Sequence, residues 1–398
     1  MVAVALLSLW SCVSSPITPS EDETIKNEII GEFIQPGIQE ADNQVDRAVE
    51  KIISKMSLRQ KIGQHLIGWI PRDGATQKIE KLVTSGLIAG FILYSWNYNS
   101  ADEVRELTGK LNDLALSSDP KIGLFFAADQ EGGRVAAFRF QNMVAMPGAF
   151  YLALYRDPKV IQSAAYITSV ELLSLGVNMN LAPVLDLYAV PDRTIIGDRS
   201  MGADPEIVSA LARGYLQGAR EAGIIAVAKH FPGHGITAVD SHGSLPVITT
   251  EAEVILRHHI APFVAAIDEG VEALMSAHVL YESIDAQFPA TLSEIFVREI
   301  LRERLGFEGV VMSDGLAMGA LSKNYTIEEI TLRCFKAGIN QLLVHSTYEI
   351  ETLIEIIEEH VNKGNLTELE IEETLRPVLR LKLKHEIAGM PEEVIADE

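Results

Sequence analysis

Only two cysteines, Cys12 and Cys334, occur in the 398 residues of this chain, which excludes a disulfide framework. Basic charge is also scarce: 33 lysines and arginines face 55 acidic residues, for a formal net charge of −22. A field of that sign repels polyanions, so nucleic acid and anionic lipid headgroups are excluded as main partners. Past the first residues, no stretch of the sequence approaches the roughly 20 apolar residues of a membrane span. Low-complexity tracts are absent, as are the Gly-x-Gly-x-x-Gly run of a dinucleotide site and the His-x-His strand end of barrel metallohydrolases. What remains is a globular composition, 47% hydrophobic, long enough to form one large domain. Cys334 lies in the helix-like TLRCFKAG and reads as a small buried apolar residue.

The two ends of the chain differ in character. Residues 1–12, MVAVALLSLWSC, form a short apolar run ending in Leu9-Trp10-Ser11-Cys12. It resembles the end of a bacterial lipoprotein signal, in which a small residue precedes the cysteine that becomes lipidated. The basic residues that open a secretory signal are missing from it. Residues 13–45 are rich in serine, proline, threonine and acids and read as a flexible tether. From 46 to 398 the pattern is that of one folded domain. Eight short apolar runs, at 64–70, 89–94, 123–129, 177–187, 224–231, 272–279, 309–314 and 339–346, alternate with amphipathic helical stretches. Continuous apolar runs suit parallel strands buried on both faces. Eight of them alternating with helices predict an α/β fold, a (β/α)8 TIM-type barrel, with a doubly wound open sheet as the competing arrangement. The last helical stretches close the fold.

Titratable residues cluster where such a barrel places its chemistry. Asp129, Asp186, Lys229 with His230, His278, Asp314 and His345 all stand at or near the C-terminal ends of their runs, and these ends converge on one face of a barrel. The densest stretch is KHFPGHGITAVDSHGSLP, residues 229–246, with His230, His234 and His242. A metal site could use the four-residue spacing of His230 and His234 only on a helix, which Pro232, Gly233 and Gly235 forbid. A phosphate cradle would need its glycines grouped, and here they are scattered. Acid–base chemistry fits better. Asp314, followed by Gly315, would present a carboxylate at the barrel mouth, able to attack an anomeric carbon. Asp240 lies two residues before His242, where it can orient the imidazole and stabilise its protonated form. Taken alone, that pair is better read as an Asx-turn beside a loop histidine.

The segments KHFPGHG…DSH…LP, DQEGGRV, NLAPVLD, IGDRSMGADP and VMSDGLAMGAL together resemble the motifs of glycoside hydrolase family 3, from about Val45 to about Gly364. The similarity is greatest to its single-domain bacterial β-N-acetylglucosaminidases. The resemblance implies that Asp314 is the nucleophile of a retaining mechanism and that His242, paired with Asp240, is the acid/base. It assigns Asp129, Arg199, Lys229 and His230 to substrate binding, with Asp186, His234 and His278 in support. No metal or cofactor is implied. The expected partner is a carbohydrate, either peptidoglycan fragments or chitin-like oligosaccharides carrying terminal β-linked N-acetylglucosamine, and the chain is expected to act as a monomer outside the cytoplasm, anchored at Cys12. Two departures stand out. Ala137 replaces an arginine usual in the family, with Arg139 two residues on, and Ile236-Thr237 follows GHG where Asp-Thr is usual. Competing activities are a β-glucosidase, a phosphorylase of the same fold, and a muropeptide-binding lipoprotein without catalysis.

Overall fold

In the computed structural model, the residues described are 36–71, 74–95, 98–188, 190, 195–237, 239–345, 349–391 and 394. Cys12 and the Leu9–Ser11 segment before it lie outside them. The chain divides into two units, Met1–Asp46 and Arg47–Glu398. A helix, Pro36–Lys55, runs from the first into the second. Residues 36–45, expected as the end of a tether, are therefore helical, and the rest of the proposed tether lies outside the described residues.

All eight apolar runs contain a strand. In chain order these are β1 (Leu66–Trp69), β2 (Gly90–Ile92), β3 (Phe125–Ala128), β4 (Met179–Asn180), β5 (Ile225–Phe231), β6 (Ala273–Ser276), β7 (Val310–Gly315) and β8 (Gln341–Leu343). Each pairs in parallel with its neighbours in sequence, and β8 pairs with β1 to close the barrel. The open-sheet alternative is thereby excluded. Ladder bonds continue just past these bounds, as from the Leu93 N–H to the Ala127 carbonyl and from the Val344 N–H to the Ile67 carbonyl at 2.9 and 2.8 Å, and side chains buried on both faces supply the apolar run. All seven residues of β5 are buried. β4 is shorter than its run: Pro183 lacks an N–H, and pairing resumes only as an isolated bridge between Val184 and Lys229. The returning helices are locally specified. In Pro205–Ala222, for example, the Asp204 carboxylate caps the N–H groups of Glu206 and Ile207.

The two ends of the barrel are built differently. At the N-terminal end the buried Lys382 ammonium donates to Gln64 Oε1 and to the carbonyls of Ala89 and Gly123 at 2.9, 2.8 and 2.7 Å, and lies over the Phe125 ring. Burial pushes its pKa well below the ordinary value. Ala89 and Gly123 lead into β2 and β3, so this side chain ties strand entrances together. The C-terminal end holds the titratable cluster.

Candidate active site

The site begins with a tight hairpin. After β3 the chain turns through Gln130–Gly132 and Val135–Ala136, a two-stranded antiparallel ribbon. Gly132 and Gly133 make this turn possible. Both have positive φ, +89° and +55°, and a Cβ on either would meet the 147–148 backbone within 2.7 Å. The paired glycines are thus a backbone device and no phosphate cradle. The buried Asn180 of β4 holds the hairpin in place, accepting from the Gln130 N–H and donating to the Gln130 carbonyl, both at 3.1 Å.

That hairpin delivers two carboxylates. Asp129 accepts from Lys229 Nζ at 2.5 Å. Glu131 accepts from the same ammonium at 2.7 Å and takes a bidentate pair of bonds from Arg199, 2.8 Å from Nε and 2.8 Å from Nη2. Burial alone would push the Glu131 carboxyl up, but the adjacent Arg199 and Lys229 outweigh it and hold the group far below the carboxylate range. In return, the carboxylates overcome the burial of Lys229 and Arg199 and raise both pKa values. Three of these residues were legible in the sequence; Glu131 was not singled out. Its signal was the spacing, since residues two apart on a strand project to the same side.

Lys229 and His230 end β5, as expected. Asp186, fully buried after β4, organises His230: its Oδ2 lies 2.6 Å from His230 Nδ1, and its Oδ1 accepts from the backbone N–H groups of His230 and His234 at 3.2 and 2.6 Å. A carboxylate only accepts, so Nδ1 of His230 carries the proton and Nε2 remains for a substrate. His234 turns the other way, its Nε2 3.2 Å from Ser241 Oγ. No helix joins the two histidines. Among the described residues no group of three or more His, Cys, Asp or Glu is arranged to hold a metal ion.

Asp314 lies near the end of β7, partly buried, its Oδ1 accepting from the Gly315 N–H at 2.7 Å. Burial pushes its carboxyl up; His278, His230, the Gly315 N–H and Lys229 outweigh this and hold it below the usual range. Burial also lowers the His278 pKa, while the Lys229 ammonium, itself held charged by Asp129 and Glu131, and the Gly315 N–H favour the ionised Asp314. His278 also buttresses this strand end, with Nε2 3.1 Å from the Gly315 carbonyl and Nδ1 2.8 Å from Thr291 Oγ1.

The Asp240–His242 pair forms as expected. Asp240 Oδ1 accepts from the His242 backbone N–H at 2.9 Å and lies 2.8 Å from His242 Nδ1. The His242 N–H groups outweigh burial and hold the Asp240 carboxyl below its ordinary value. The imidazole is therefore protonated on Nδ1 and its Nε2 is left to exchange protons. The side chains are 70% and 57% exposed for His242 and Asp240, so the pair is a solvent-facing edge of the site.

A cavity of about 220 Å³ joins these parts. Asp129, Arg199, Lys229, His230, His242 and Asp314 all line it, with Asp240 behind His242. Its volume is below the usual 300–1,000 Å³ of drug-sized pockets and suits a single sugar unit. Arg139 is not in the lining; its Nη2 donates to the Gly133 carbonyl at 2.7 Å, so it does not supply the donor missing at Ala137. Ile236 is partly buried and packs against the apolar core, which gives this departure a packing role.

A closed parallel barrel whose mouth presents an ionised carboxylate, a histidine with a free nitrogen and a cationic donor set in one small cavity defines a hydrolase for a polyhydroxylated substrate. The chain belongs to glycosyl hydrolase family 3, whose N-terminal domain model matches residues 57–381, and it is a glycoside hydrolase. It is 38% identical over 262 residues to a beta-hexosaminidase of Methylococcus capsulatus, spanning 65% of this chain and 76% of that one. A family 3 beta-N-acetylglucosaminidase of Paenibacillus superposes with a TM-score of 0.80 at 34% identity, covering 84% of this chain and 64% of that protein. A beta-N-acetylhexosaminidase of Beutenbergia cavernae gives 0.74 at 26% identity, covering 82% and 98%.

Proposed function

We propose that this protein is a retaining exo-β-N-acetylglucosaminidase acting on peptidoglycan fragments or chitin-like oligosaccharides. The observation that carries the reading is the single cavity shared by Asp314, His242 and the Asp129, Arg199, Lys229 and His230 set. In the first step an Asp314 oxygen bonds to the anomeric carbon, the glycosidic bond breaks, and the departing oxygen keeps the electron pair and takes the Nε2 proton of His242. In the second, water attacks the same carbon as Nε2 accepts its proton, and the Asp314 carboxylate leaves. Asp240 makes an imidazole serviceable here by fixing its tautomer and orientation. Lys229 and Arg199 donate to sugar hydroxyls, Asp129 accepts from them, and His230 meets the sugar through its Nε2. The N-acetylhexosaminidase names of the relatives support the sugar assignment.

Purified protein given aryl N-acetylglucosaminide and aryl glucoside side by side is expected to cleave the first at least tenfold faster; a preference for the glucoside would replace this reading with a β-glucosidase. The imidazole acid/base favours one further possibility, because it repels an incoming phosphate less than a carboxylate would. The same assay with added phosphate is expected to yield free sugar; accumulation of sugar 1-phosphate would make the enzyme a phosphorylase. We also propose membrane anchoring through Cys12, on the strength of the Leu-Trp-Ser-Cys run. Cys12→Ser is expected to move the protein from the membrane to the soluble fraction, and unchanged membrane association would refute the anchor.

A further inference from the structure

The segment carrying Asp240 and His242 is joined to the segment that follows Asp314 by three consecutive loop carbonyls. The Ser241 carbonyl accepts from the Ala320 N–H at 3.0 Å and the His242 carbonyl from the Gly319 N–H at 2.9 Å. The Gly243 carbonyl accepts from Lys323 Nζ at 2.6 Å. All three donors belong to a short stretch beginning five residues after the nucleophile candidate, at the start of the turn Gly319–Ser322. Across that junction the two backbones are in close contact at Gly319. A Cβ there would lie 2.7 Å from the Gly243 carbonyl oxygen and 2.8 Å from both the Gly243 carbon and the His242 oxygen. All three are backbone atoms, so no side-chain rotation relieves the overlap. Gly319 does not adopt the left-handed backbone that favours glycine, so a methyl group there is opposed by lack of space alone.

The rest of the loop has fewer ties to the barrel. Ser241 is buried with its hydroxyl against His234, while Asp240, His242, Gly243 and Ser244 are not buried. The dyad's internal bonds fix the ring relative to Asp240 but do not fix the pair relative to Asp314. The Gly319 junction does, because it ties the His242 backbone to the strand end that bears Asp314.

We infer that Gly319 is a positioning residue for proton transfer: the absence of a side chain at 319 seats the 241–243 backbone against the segment after Asp314 and so sets the reach of His242 Nε2 to the glycosidic oxygen. This rests on the reading of His242 as the acid. Misplacement of a catalytic group by about 1 Å can cost around a hundredfold in rate, and the loss falls where protonation of the leaving group matters.

The test is kcat/KM, which reports the first chemical step, on two β-N-acetylglucosaminides: one with a dinitrophenyl leaving group that departs without a proton, and one with an alkyl leaving group that needs one. Gly319→Ala is expected to lower kcat/KM roughly tenfold or more for the alkyl glycoside and less than about threefold for the dinitrophenyl glycoside. An equal loss on both, or none on either, overturns the inference. His242→Ala, run in parallel, separates the two levels of the argument. If it too loses equally on both substrates, the acid assignment fails and the inference with it. If it discriminates and Gly319→Ala does not, the seat alone fails. Should Gly319→Ala not accumulate as folded protein, Lys323→Met removes the third bond without crowding. A loss of about threefold confined to the alkyl glycoside is then expected, and unchanged selectivity rejects the seat.

Discussion

Asp314→Ala is expected to lower kcat by about four orders of magnitude while leaving sugar binding within a few-fold of wild type. The expectation follows from how the site is divided. Asp314 stands at the end of β7, whereas the groups proposed to hold the sugar come from β5, the hairpin after β3 and the 197–199 turn. They bond to one another: Lys229 to Asp129 and Glu131, Arg199 to Glu131, and His230 to Asp186. The hydrogen bond that Asp314 loses is a local one, from the adjacent Gly315 N–H. The variant is expected to fold with a somewhat lower melting temperature at neutral pH, because the surroundings that hold the Asp314 carboxyl below its ordinary range favour its charge in the folded state. Azide, a small anion able to occupy the vacated space, should restore part of the turnover and give a glycosyl azide in place of free sugar. The decisive comparison is calorimetric binding of N-acetylglucosamine beside turnover of the aryl glycoside. Retained turnover above about one per cent would remove Asp314 from the nucleophile role. Wild type and variant equally inert, with sugar still bound, would favour a muropeptide-binding protein over an enzyme.

The barrel was legible in the sequence because burial on both faces leaves a distinctive trace, a short apolar run with no alternation, and each of the eight runs contains a strand. Strand-end chemistry was legible for the same reason: Lys229, His230 and Asp314 are polar at the point where an apolar run stops. Pairing was much less so. Asp186 and His230 are 44 residues apart in the chain and 2.6 Å apart in space, and no periodicity connects them. The lengths of the strands were not legible either, since an extended segment with a proline, such as 181–187, carries the same apolar composition as a paired strand. Glu131 was not legible because, within DQEGGRV, only Asp129 stands at the end of an apolar run. The structure shows a second, deeper carboxylate that holds both cations. Residues 36–45 are polar enough to look like a tether, yet they are helical and continue to Lys55.

Glu131 has the larger consequence for stability. Its side chain is 4% exposed and that of Lys229 3%, with Arg199 at 14%. Removing one partner of a buried ionic group leaves uncompensated charge, at a cost of about 3–5 kcal/mol. Glu131→Gln keeps the shape and one acceptor oxygen but leaves Asp129 as the only carboxylate bonded to either cation among the described residues. The variant is expected to be less stable than wild type by about 3 kcal/mol at neutral pH, and to bind sugar more weakly because Arg199 loses its bidentate support. The pH dependence separates this from loss of packing. The folded-state pKa of Glu131 is depressed, so its contribution is present above the unfolded value of about 4.5 and is lost as pH falls toward the folded value. The gap in melting temperature between wild type and Glu131→Gln should therefore be constant from neutral pH down to about 5 and narrow below that, as the unfolded wild-type chain takes up a proton that the folded chain refuses. A gap independent of pH down to 3 would mean that the amide disturbs packing and that the carboxylate charge contributes little. If the gap narrows as expected, the Glu131 charge is what holds Lys229 and Arg199 at the mouth, and the sugar-binding cations depend on a residue that need not touch the sugar.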